Sequence, residues 1–150
     1  NSPDLIVLAT QNYDPNADYN PHPISLAYVG SNWFVDNIDR SAMPANAAFN
    51  LYWQNSSPNA FTVTASSSNI LLGALRVDHP LLDGRPCARP QATRKTLASV
   101  PATSNWEWTY LSGNWYLYDF GSIPVGTQFN VVVDPAQVAL CSDRIFANDF

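Results

Sequence analysis

The chain has little charge, and almost none of it is lysine. Asp, Glu, Lys and Arg make up 13% of its 150 residues, and Lys95 is the only lysine. Soluble domains average about a quarter. With a net charge of −5, little positive charge is left to face phosphates, so nucleic acid is not an expected partner. No stretch approaches the ~20 apolar residues that a membrane span needs, so no membrane span is expected either.

Residues suited to catalysis are also scarce. Glu107 is the only glutamate, and the two histidines, His22 and His79, each precede a proline. A residue before proline is pushed into an extended conformation, which places both histidines at strand entries. No Ser elbow, HExxH or phosphate loop is present. We therefore expect no enzyme, although two of the aspartates could still pair in space as they do in glycosidases.

Only two cysteines occur, Cys87 and Cys141. Neither lies in a metal-binding spacing, so a disulfide is the favoured interpretation and two buried free thiols are the alternative. Such a bridge would close a loop of about 55 residues, worth roughly 4 kcal/mol in the chain-entropy model. The triplet that begins at Asn55 is an N-glycosylation sequon. Together these features predict a secreted, extracellular protein.

The spacing of turn residues predicts an all-β protein. Twelve prolines and many Asn and Ser residues interrupt the chain, and no segment has a convincing helical period. We expect roughly ten short strands in a β-sandwich or a closed barrel. One short helical turn is an option within residues 44–50. The strand candidates outside the hairpins are Leu5–Thr10, Phe49–Gln54, Phe61–Ala65, Ile70–Val77, Phe129–Asp134 and Val138–Cys141.

One sequence pattern occurs twice in the chain. Residues 28–37 are YVGSNWFVDN and residues 110–119 are YLSGNWYLYD, and each predicts a hairpin with a tryptophan just past a polar turn. Upstream and downstream matches follow in the same order at offsets of 80 to 83. This indicates an internal duplication within a single domain, with repeats of about 1–77 and 78–150 related by a pseudo-twofold axis. The matched pairs include Ala9 with Ala92, Thr10 with Thr93, Tyr28 with Tyr110, Trp33 with Trp115, Phe49 with Phe129, and Asn50 with Asn130.

The first copy resembles a repeat found in secreted bacterial and fungal proteins. The resemblance lies in His22-Pro23-Ile24, then Tyr28, Trp33, Asn37-x-Asp39, Met43-Pro44 and Ala48-Phe49-Asn50. Residues 78–84 resemble the piece that opens each repeat. The second copy departs from the pattern, because it has no His-Pro-Ile and has Ile123-Pro124 in place of Met-Pro. The resemblance implies an extracellular β-repeat domain of unassigned function.

The segment DPNADYN places Asp14, Asn16, Asp18 and Asn20 at alternate positions. That spacing matches the start of an EF-hand calcium loop, but its sixth position is Tyr19 and its twelfth is not glutamate. An Asx-rich turn is therefore the favoured interpretation. No cofactor is expected, and calcium held by loop carboxylates stays an open alternative.

The aromatic residues predict the binding sites. Trp106, Trp108 and Tyr110 alternate along one strand face. The next strand carries rings on both faces, so we expect an aromatic ring to stay at the surface there. Trp33 and Trp115 recur and are therefore expected to be core. The predicted ligand-binding residues are the features that do not recur, namely Trp53, Trp106, Trp108, Asp14, Asn16, Asp18 and Tyr19.

Exposed rings beside amides and carboxylates are typical of sugar recognition. The leading expectation is thus a non-catalytic, lectin-like domain whose partner is a glycan or a glycoprotein. The alternative is a structural or self-assembling extracellular protein, a matrix or filament subunit, in which the aromatic surface is buried against another copy in a homo-oligomer.

Overall fold

The computed structural model describes residues 2–96, 105–119 and 121–139. Within these residues the chain forms eleven strands and one short helix, so the predicted all-β class is confirmed. Their bounds are β1 Ile6–Asn12, β2 Ile24–Val29, β3 Asn32–Asn37, β4 Ala48–Gln54, β5 Ala60–Thr64, β6 Ile70–Leu71, β7 Ala74–Val77, β8 Gln91–Lys95, β9 Trp106–Leu111, β10 Asn114–Asp119, β11 Gln128–Val132 and α1 Pro135–Ala139.

The strands form three sheets, and the fold is sandwich-like. The largest sheet has the order β3-β2-β8-β11-β5, the second has the order β6-β7-β10-β9, and β1 pairs with β4 alone. All ladders are antiparallel except one, where β2 meets β8 in parallel through Leu26 and Lys95. No closed barrel forms among the described strands, which decides between the two predicted architectures.

The hydrophobic core has a large and a small part. The large cluster includes Leu75, Leu117, Phe129 and Val131, all fully buried, and Trp106, Trp108 and Trp115 pack against it. The small cluster contains Val7, Ala9 and Leu26, with Trp33 packed on it. Burying side chains of this size is worth roughly 1.5–3 kcal/mol each, so the large cluster dominates the stabilisation.

The two predicted hairpins are present and correspond. β2 and β3 pair with Tyr28 opposite Trp33, and β9 and β10 pair with Tyr110 opposite Trp115. The turn residues of the first hairpin, Gly30 and Ser31, both have positive φ, as do Ser112 and Gly113 in the second. Two consecutive positive φ angles are typical of a type I′ turn, whose twist matches that of the flanking strands.

The Phe-Asn strands correspond as well. β1 pairs with β4 and puts Thr10 opposite Asn50, while β8 pairs with β11 and puts Thr93 opposite Asn130. Both halves therefore use the same pairing in the same register. The repeat boundaries near residues 77 and 78 stay a prediction.

Two buried polar side chains tie β1 to the five-stranded sheet. Thr93 Oγ1 accepts a hydrogen bond from the Ala9 N–H at 3.0 Å and lies 3.3 Å from the Ala9 carbonyl oxygen. Asn130 Nδ2 donates to the Val7 carbonyl at 2.9 Å. Because buried backbone groups are costly to leave unpaired, these contacts hold β1 across the sheet.

Three local predictions were wrong. A strand was expected at Val138–Cys141, but its first two residues belong to the helix α1. Asp134 Oδ1 caps this helix by accepting the Ala136 N–H at 2.9 Å, as an N-cap does. Residues 140 and 141 lie outside the described residues. The optional helical turn in residues 44–50 is a simple turn, with the Ala47 N–H bonded to the Pro44 carbonyl at 3.1 Å. The single strand expected at Ile70–Val77 folds into the β6–β7 hairpin, because Leu72 and Gly73 both have positive φ.

Candidate functional site

A shallow depression lies in the loop that joins β1 to β2. Its rim carries two tyrosines, with Tyr13 72% and Tyr19 65% exposed. Their ring centroids are 5.9 Å apart and the ring planes meet at 27°. The depression encloses about 150 Å³, and we call it the tyrosine depression. Its polar and aromatic lining consists of Gln11, Asn12, Tyr13, Asp14, Asp18, Tyr19 and Asn20.

The loop is shaped by its own backbone and by the side chain of Asp14. Asp14 Oδ1 accepts the Asn16 N–H at 2.7 Å and the Asn16 side-chain amide at 3.0 Å. The Ala17 N–H donates to the Asp14 carbonyl at 2.9 Å. These bonds make an Asx turn. The side chain of Asn16 is therefore part of the turn, whereas the side chain of Asp18 makes no hydrogen bond to any described residue.

A buried amide pair anchors the floor of the depression. Asn20 is only 3% exposed, and its Nδ2 donates to Asn37 Oδ1 at 2.8 Å. Asn37 Nδ2 in turn donates to Ser41 Oγ at 3.2 Å. Because buried amides need partners, this chain of bonds fixes the end of the loop against β3.

The hydrogen-bonded pair beside this anchor comes from the motif residues. His22 Nδ1 lies 2.6 Å from Asp39 Oδ2, and Ser41 Oγ donates to Asp39 Oδ1 at 2.6 Å. Hydrogen bonds from the Ser41 side chain and backbone lower the pKa of Asp39 to about 2, and His22 contributes further. In this chain the His-Pro and Asn-x-Asp residues therefore support the loop and do not line the depression.

The predicted aromatic ligands do not join this site. Trp53 is 64% exposed and lies opposite Val7, whereas the depression lies where Asn12 pairs with Ala48. The two features are thus at opposite ends of the β1–β4 ribbon. Of the seven predicted ligand residues, the structure brings Asp14, Asp18 and Tyr19 together in the depression and leaves the others elsewhere.

Trp106 and Trp108 are half-buried packing residues. Trp106 meets Phe129 edge-on with ring centroids 5.3 Å apart, and Trp108 meets Trp115 at 6.1 Å. They also line a cleft of about 320 Å³ with Leu8 and residues of β8. They form a second concave surface, separate from the tyrosine depression.

The aromatic strand β10 lies in the middle of its sheet, between β7 and β9. Of the rings on β10, Tyr116 is only 8% exposed, whereas Trp115 and Tyr118 are half-buried. The described rings of this hairpin are therefore at most partly exposed, and the expected surface ring stays a prediction. Phe120 lies outside the described residues.

Trp33 has the contacts of a packing residue. Its Nε1 donates to the Ser2 carbonyl at 3.1 Å, Tyr28 meets it edge-on at 5.3 Å, and Lys95 Nζ lies 5.5 Å from its ring centroid. Trp115 repeats the first contact by donating to the Arg85 carbonyl at 3.0 Å. The recurrence of this tryptophan is explained by a shared structural bond.

Comparison with known proteins shows the family. A family model described as a domain of unknown function (DUF7452) matches residues 1–52 and 32–133. The chain belongs to the DUF7452 family. No curated protein and no solved structure matches it. All residues that line the tyrosine depression fall within the first match, so the depression is built from the family's own domain.

The described part of this DUF7452 domain contains no group of three or more His, Cys, Asp or Glu side chains able to hold a metal ion. In the depression only Asp14 and Asp18 carry carboxylates, and Asp14 uses one oxygen in the Asx turn. Calcium typically takes six to eight oxygen ligands. In the same ranges, no helix is long and apolar enough to cross a membrane.

Three residues of the depression were missed from the sequence, Gln11, Asn12 and Tyr13. Tyr13 lies directly before the Asx turn and Tyr19 lies two residues after it, so the two rings flank the same loop. An Asx turn brings its flanks close together, and this spacing was the signal that would have found Tyr13. Gln11 carried no such signal, because its side chain joins the loop through a hydrogen bond to the His22 carbonyl.

The covalent predictions fall at the edge of what the structure describes. Cys87 is partly buried, but Cys141 lies outside the described residues, so the bridge between them stays a prediction. Asn55 is exposed directly after β4. A sequon must be at the surface to accept a glycan, and Asn55 meets that condition.

Proposed function

We propose that this DUF7452 domain is a secreted, non-catalytic carbohydrate-binding domain and that the tyrosine depression is its binding site. The observation that carries the proposal is the pair of exposed rings, Tyr13 and Tyr19, set beside free polar groups. A single exposed ring is ordinary on a protein surface, but two on one rim form a contiguous aromatic surface, and such surfaces mark binding sites. Such a surface suits the apolar face of a sugar ring.

The polar groups supply what the hydroxyls of a sugar need. Asp18 is exposed and its carboxylate makes no hydrogen bond to any described residue, so it accepts from hydroxyls. Gln11 Nε2 is committed to the His22 carbonyl at 3.1 Å, which leaves its oxygen as an acceptor. Both side chains line the depression with the tyrosines. Apolar stacking with a few fixed polar groups is the usual composition of a small-molecule site.

The size of the depression limits the ligand. At about 150 Å³ it is smaller than the roughly 300–1,000 Å³ of drug-sized pockets. We therefore expect one sugar ring to be held, either at the end of a glycan or within a polymer. Affinity for a single ring is expected near the millimolar range, about −4 kcal/mol, so tight binding would require several domains acting together.

Secretion completes the proposal and rests on covalent chemistry. A bridge between Cys87 and Cys141 and a glycan on Asn55 both belong to oxidising, extracellular compartments. Mass spectrometry of the intact chain with and without reduction tests the bridge. Two free thiols in the purified protein would remove this support for secretion and would leave the sugar site untouched.

The experiment for the site is a glycan array probed with monomeric protein, followed by titration of the best ligand. We expect Tyr19→Ala and Tyr13→Ala to abolish detectable binding, because each removes a stacking surface. Tyr19→Phe keeps the ring and should retain most of the affinity. Tyr52→Ala is the matched control, since Tyr52 is 49% exposed but lies on β4, outside the depression.

Two results would contradict the proposal. One is the absence of binding to any glycan. The other is equal loss of binding in Tyr52→Ala and Tyr19→Ala, which would place the sugar elsewhere or show that the exposed aromatics act non-specifically. Retained binding in both Trp106→Ala and Trp108→Ala, if those variants fold, separates the tyrosine depression from the tryptophan cleft.

The alternative function, a structural or self-assembling extracellular protein, is favoured by a different observation. β4 exposes Leu51, Tyr52 and Trp53 in succession. These side chains are distant in sequence from the tyrosine loop and supply a separate contact surface. A domain of this kind can carry a sugar site and an assembly surface together.

A further inference from the structure

In the described structure the outer edge of β4 pairs with no strand, whereas the same edge of the corresponding strand β11 pairs with β5. β11 pairs with β8 on one side and with β5 on the other, in the order β8-β11-β5. β4 has β1 as its only neighbour in the described structure. Because β1–β4 and β8–β11 share the same register, β4 has the backbone geometry of a strand that can pair on both edges.

The side chains of β4 are exposed on both faces. Leu51 is 50%, Tyr52 49% and Trp53 64% exposed, whereas the counterpart Val131 is fully buried. Successive strand residues point to opposite faces, so Leu51 and Trp53 lie on one face and Tyr52 on the other. A strand added at this edge would cover apolar surface above and below the sheet.

β4 lacks the devices that normally protect a strand edge. Natural edges are blocked by charge, proline, bulges or short length. The edge strands β3 and β9 each contain an acid, Asp36 and Glu107, and β6 has two residues. The edge strand β5, AFTVT, is neutral like β4 but has no large exposed apolar side chain. β4 reads AFNLYWQ, with neither charge nor proline. No Asp, Glu, Lys, Arg or His occurs anywhere in residues 41–75.

We propose that β4 pairs antiparallel with β4 of a second copy of this chain, around a twofold axis that crosses the strand. The neutrality of residues 41–75 favours this occupant over a charged partner, because two identical neutral surfaces meet without like-charge repulsion. Antiparallel pairing of a strand with its own copy satisfies the self-complementarity that a twofold interface requires. The tyrosine depression lies beside the start of β4, where Ala47 and Ala48 line it.

The experiment is sedimentation equilibrium of the full chain from micromolar to millimolar concentration. We expect a monomer–dimer equilibrium that weakens about tenfold or more in Leu51→Lys and in Trp53→Lys, since each places like charges across the axis. Tyr19→Lys is the matched control, because it makes the same charge change at an equally exposed aromatic and should leave dimerisation unchanged. Circular dichroism confirms that each variant is folded.

A cysteine scan tests the symmetry. Antiparallel pairing about a twofold axis brings only the residue on the axis opposite its own copy, whereas in-register parallel pairing brings every residue opposite its own copy. One of Asn50→Cys, Leu51→Cys and Tyr52→Cys, and not all three, should therefore form a cross-linked dimer under mild oxidation. A wild-type chain that stays monomeric throughout overturns the proposal, as does a dimer that the lysine variants leave intact or that no scanned cysteine cross-links. Sugar binding is scored on the same variants and is expected to fail in Tyr19→Lys alone, so the two proposals stand or fall separately.

Discussion

β4 and β11 each have Phe-Asn as their second and third residues, and each pairs in the same way with the first strand of its half, β1 or β8. Their side chains lie in opposite environments. Phe129, Asn130 and Val131 are fully buried, whereas Leu51 and Trp53 lie at the surface. The difference follows from the neighbours, because β11 has a strand on each side and β4 has one. Position in the sheet, and not the shared motif, decides burial.

The residues after Phe-Asn match these positions. β11 continues with Val131 and Val132, and a run of β-branched residues suits a strand covered on both faces. β4 continues with Leu51, Tyr52 and Trp53. Tyrosine and tryptophan combine a large apolar ring with a polar group, so they tolerate both exposure to water in the monomer and burial against a second copy. The two strands therefore differ in sequence where their surroundings differ.

Truncation of the shared phenylalanine is expected to give the largest difference in stability between the two strands. Phe129→Ala should destabilise the protein by about 3–5 kcal/mol, because it opens a cavity in the main core. Phe49→Ala should cost less than half as much, since Phe49 is only half-buried. Urea unfolding of both variants measures the difference in free energy. Equal losses would show that β4 is as well packed as β11.

Truncation of the shared asparagine is expected to give the second-largest difference in stability. Asn130 accepts from Thr62 Oγ1 at 3.0 Å and donates to the Val7 carbonyl, so Asn130→Ala leaves buried groups unpaired and should cost about 1–3 kcal/mol. Asn50 is exposed, and Asn50→Ala should stay within about 0.5 kcal/mol of wild type. Thermal unfolding distinguishes the two. A large loss in Asn50→Ala in the monomer would mean that Asn50 has a structural role that its exposure does not reveal.

Substitution of the recurring tryptophan should lower the stability by less, and by similar amounts in the two hairpins, because the two indoles make equivalent contacts. Trp33→Phe and Trp115→Phe each remove one indole hydrogen bond to a carbonyl, worth about 0.5–1.5 kcal/mol. Each carbonyl keeps a second donor, from Leu5 for Ser2 and from Ala88 for Arg85. Chemical denaturation should therefore give similar losses in the two variants, with Trp115→Phe somewhat larger because Trp108 and Tyr110 pack on that ring. A loss confined to one variant would break the correspondence of the two hairpins.

The two histidines give the smallest expected effect. His79 stacks on Phe61 with centroids 4.0 Å apart and accepts the Leu81 N–H at Nδ1. Burial lowers the pKa of His79 despite the nearby Asp83. Folding therefore favours the neutral ring, so this contribution to stability is complete above the ordinary histidine pKa of about 6.5 and is lost as the pH falls below it.

The variant His79→Gln should flatten the decline in unfolding free energy between neutral pH and about pH 5. His22 is the control, because it pairs with the carboxylate of Asp39 and not with an aromatic ring. His22→Gln should leave the His79 contribution to that decline in place. An unchanged decline in His79→Gln would show that another group is responsible.

Much of the fold was predictable because its signals are local. The alternation of Trp106 and Trp108, the polar turns before Trp33 and Trp115, and the spacing of prolines all act within one strand or one turn. The predictions that failed depended on a choice between local signals. Gly73 turned a largely apolar run into a hairpin, and Pro135 after the capping Asp134 started a helix where a strand was expected.

The candidate site was only partly predictable. Asp14, Asp18 and Tyr19 were found because the loop is compact in sequence. Gln11 was not, because its side chain meets the loop through the His22 carbonyl, eleven residues further along the chain. Trp106 and Trp108 were predicted as exposed platforms, and they are instead half-buried against Phe129 and Trp115, because strand order puts their face toward the core.

The sequence by itself determined the class, the hairpins, the duplicated pairing and the neutral stretch around β4, because each depends on the chemistry of residues close together in the chain. The tertiary structure alone decided which of two equivalent strands became central, which rings reached the surface and which polar residues met at the tyrosine depression. Burial depends on what lies across a sheet or beyond its edge, and contacts between distant segments cannot be read from either segment alone.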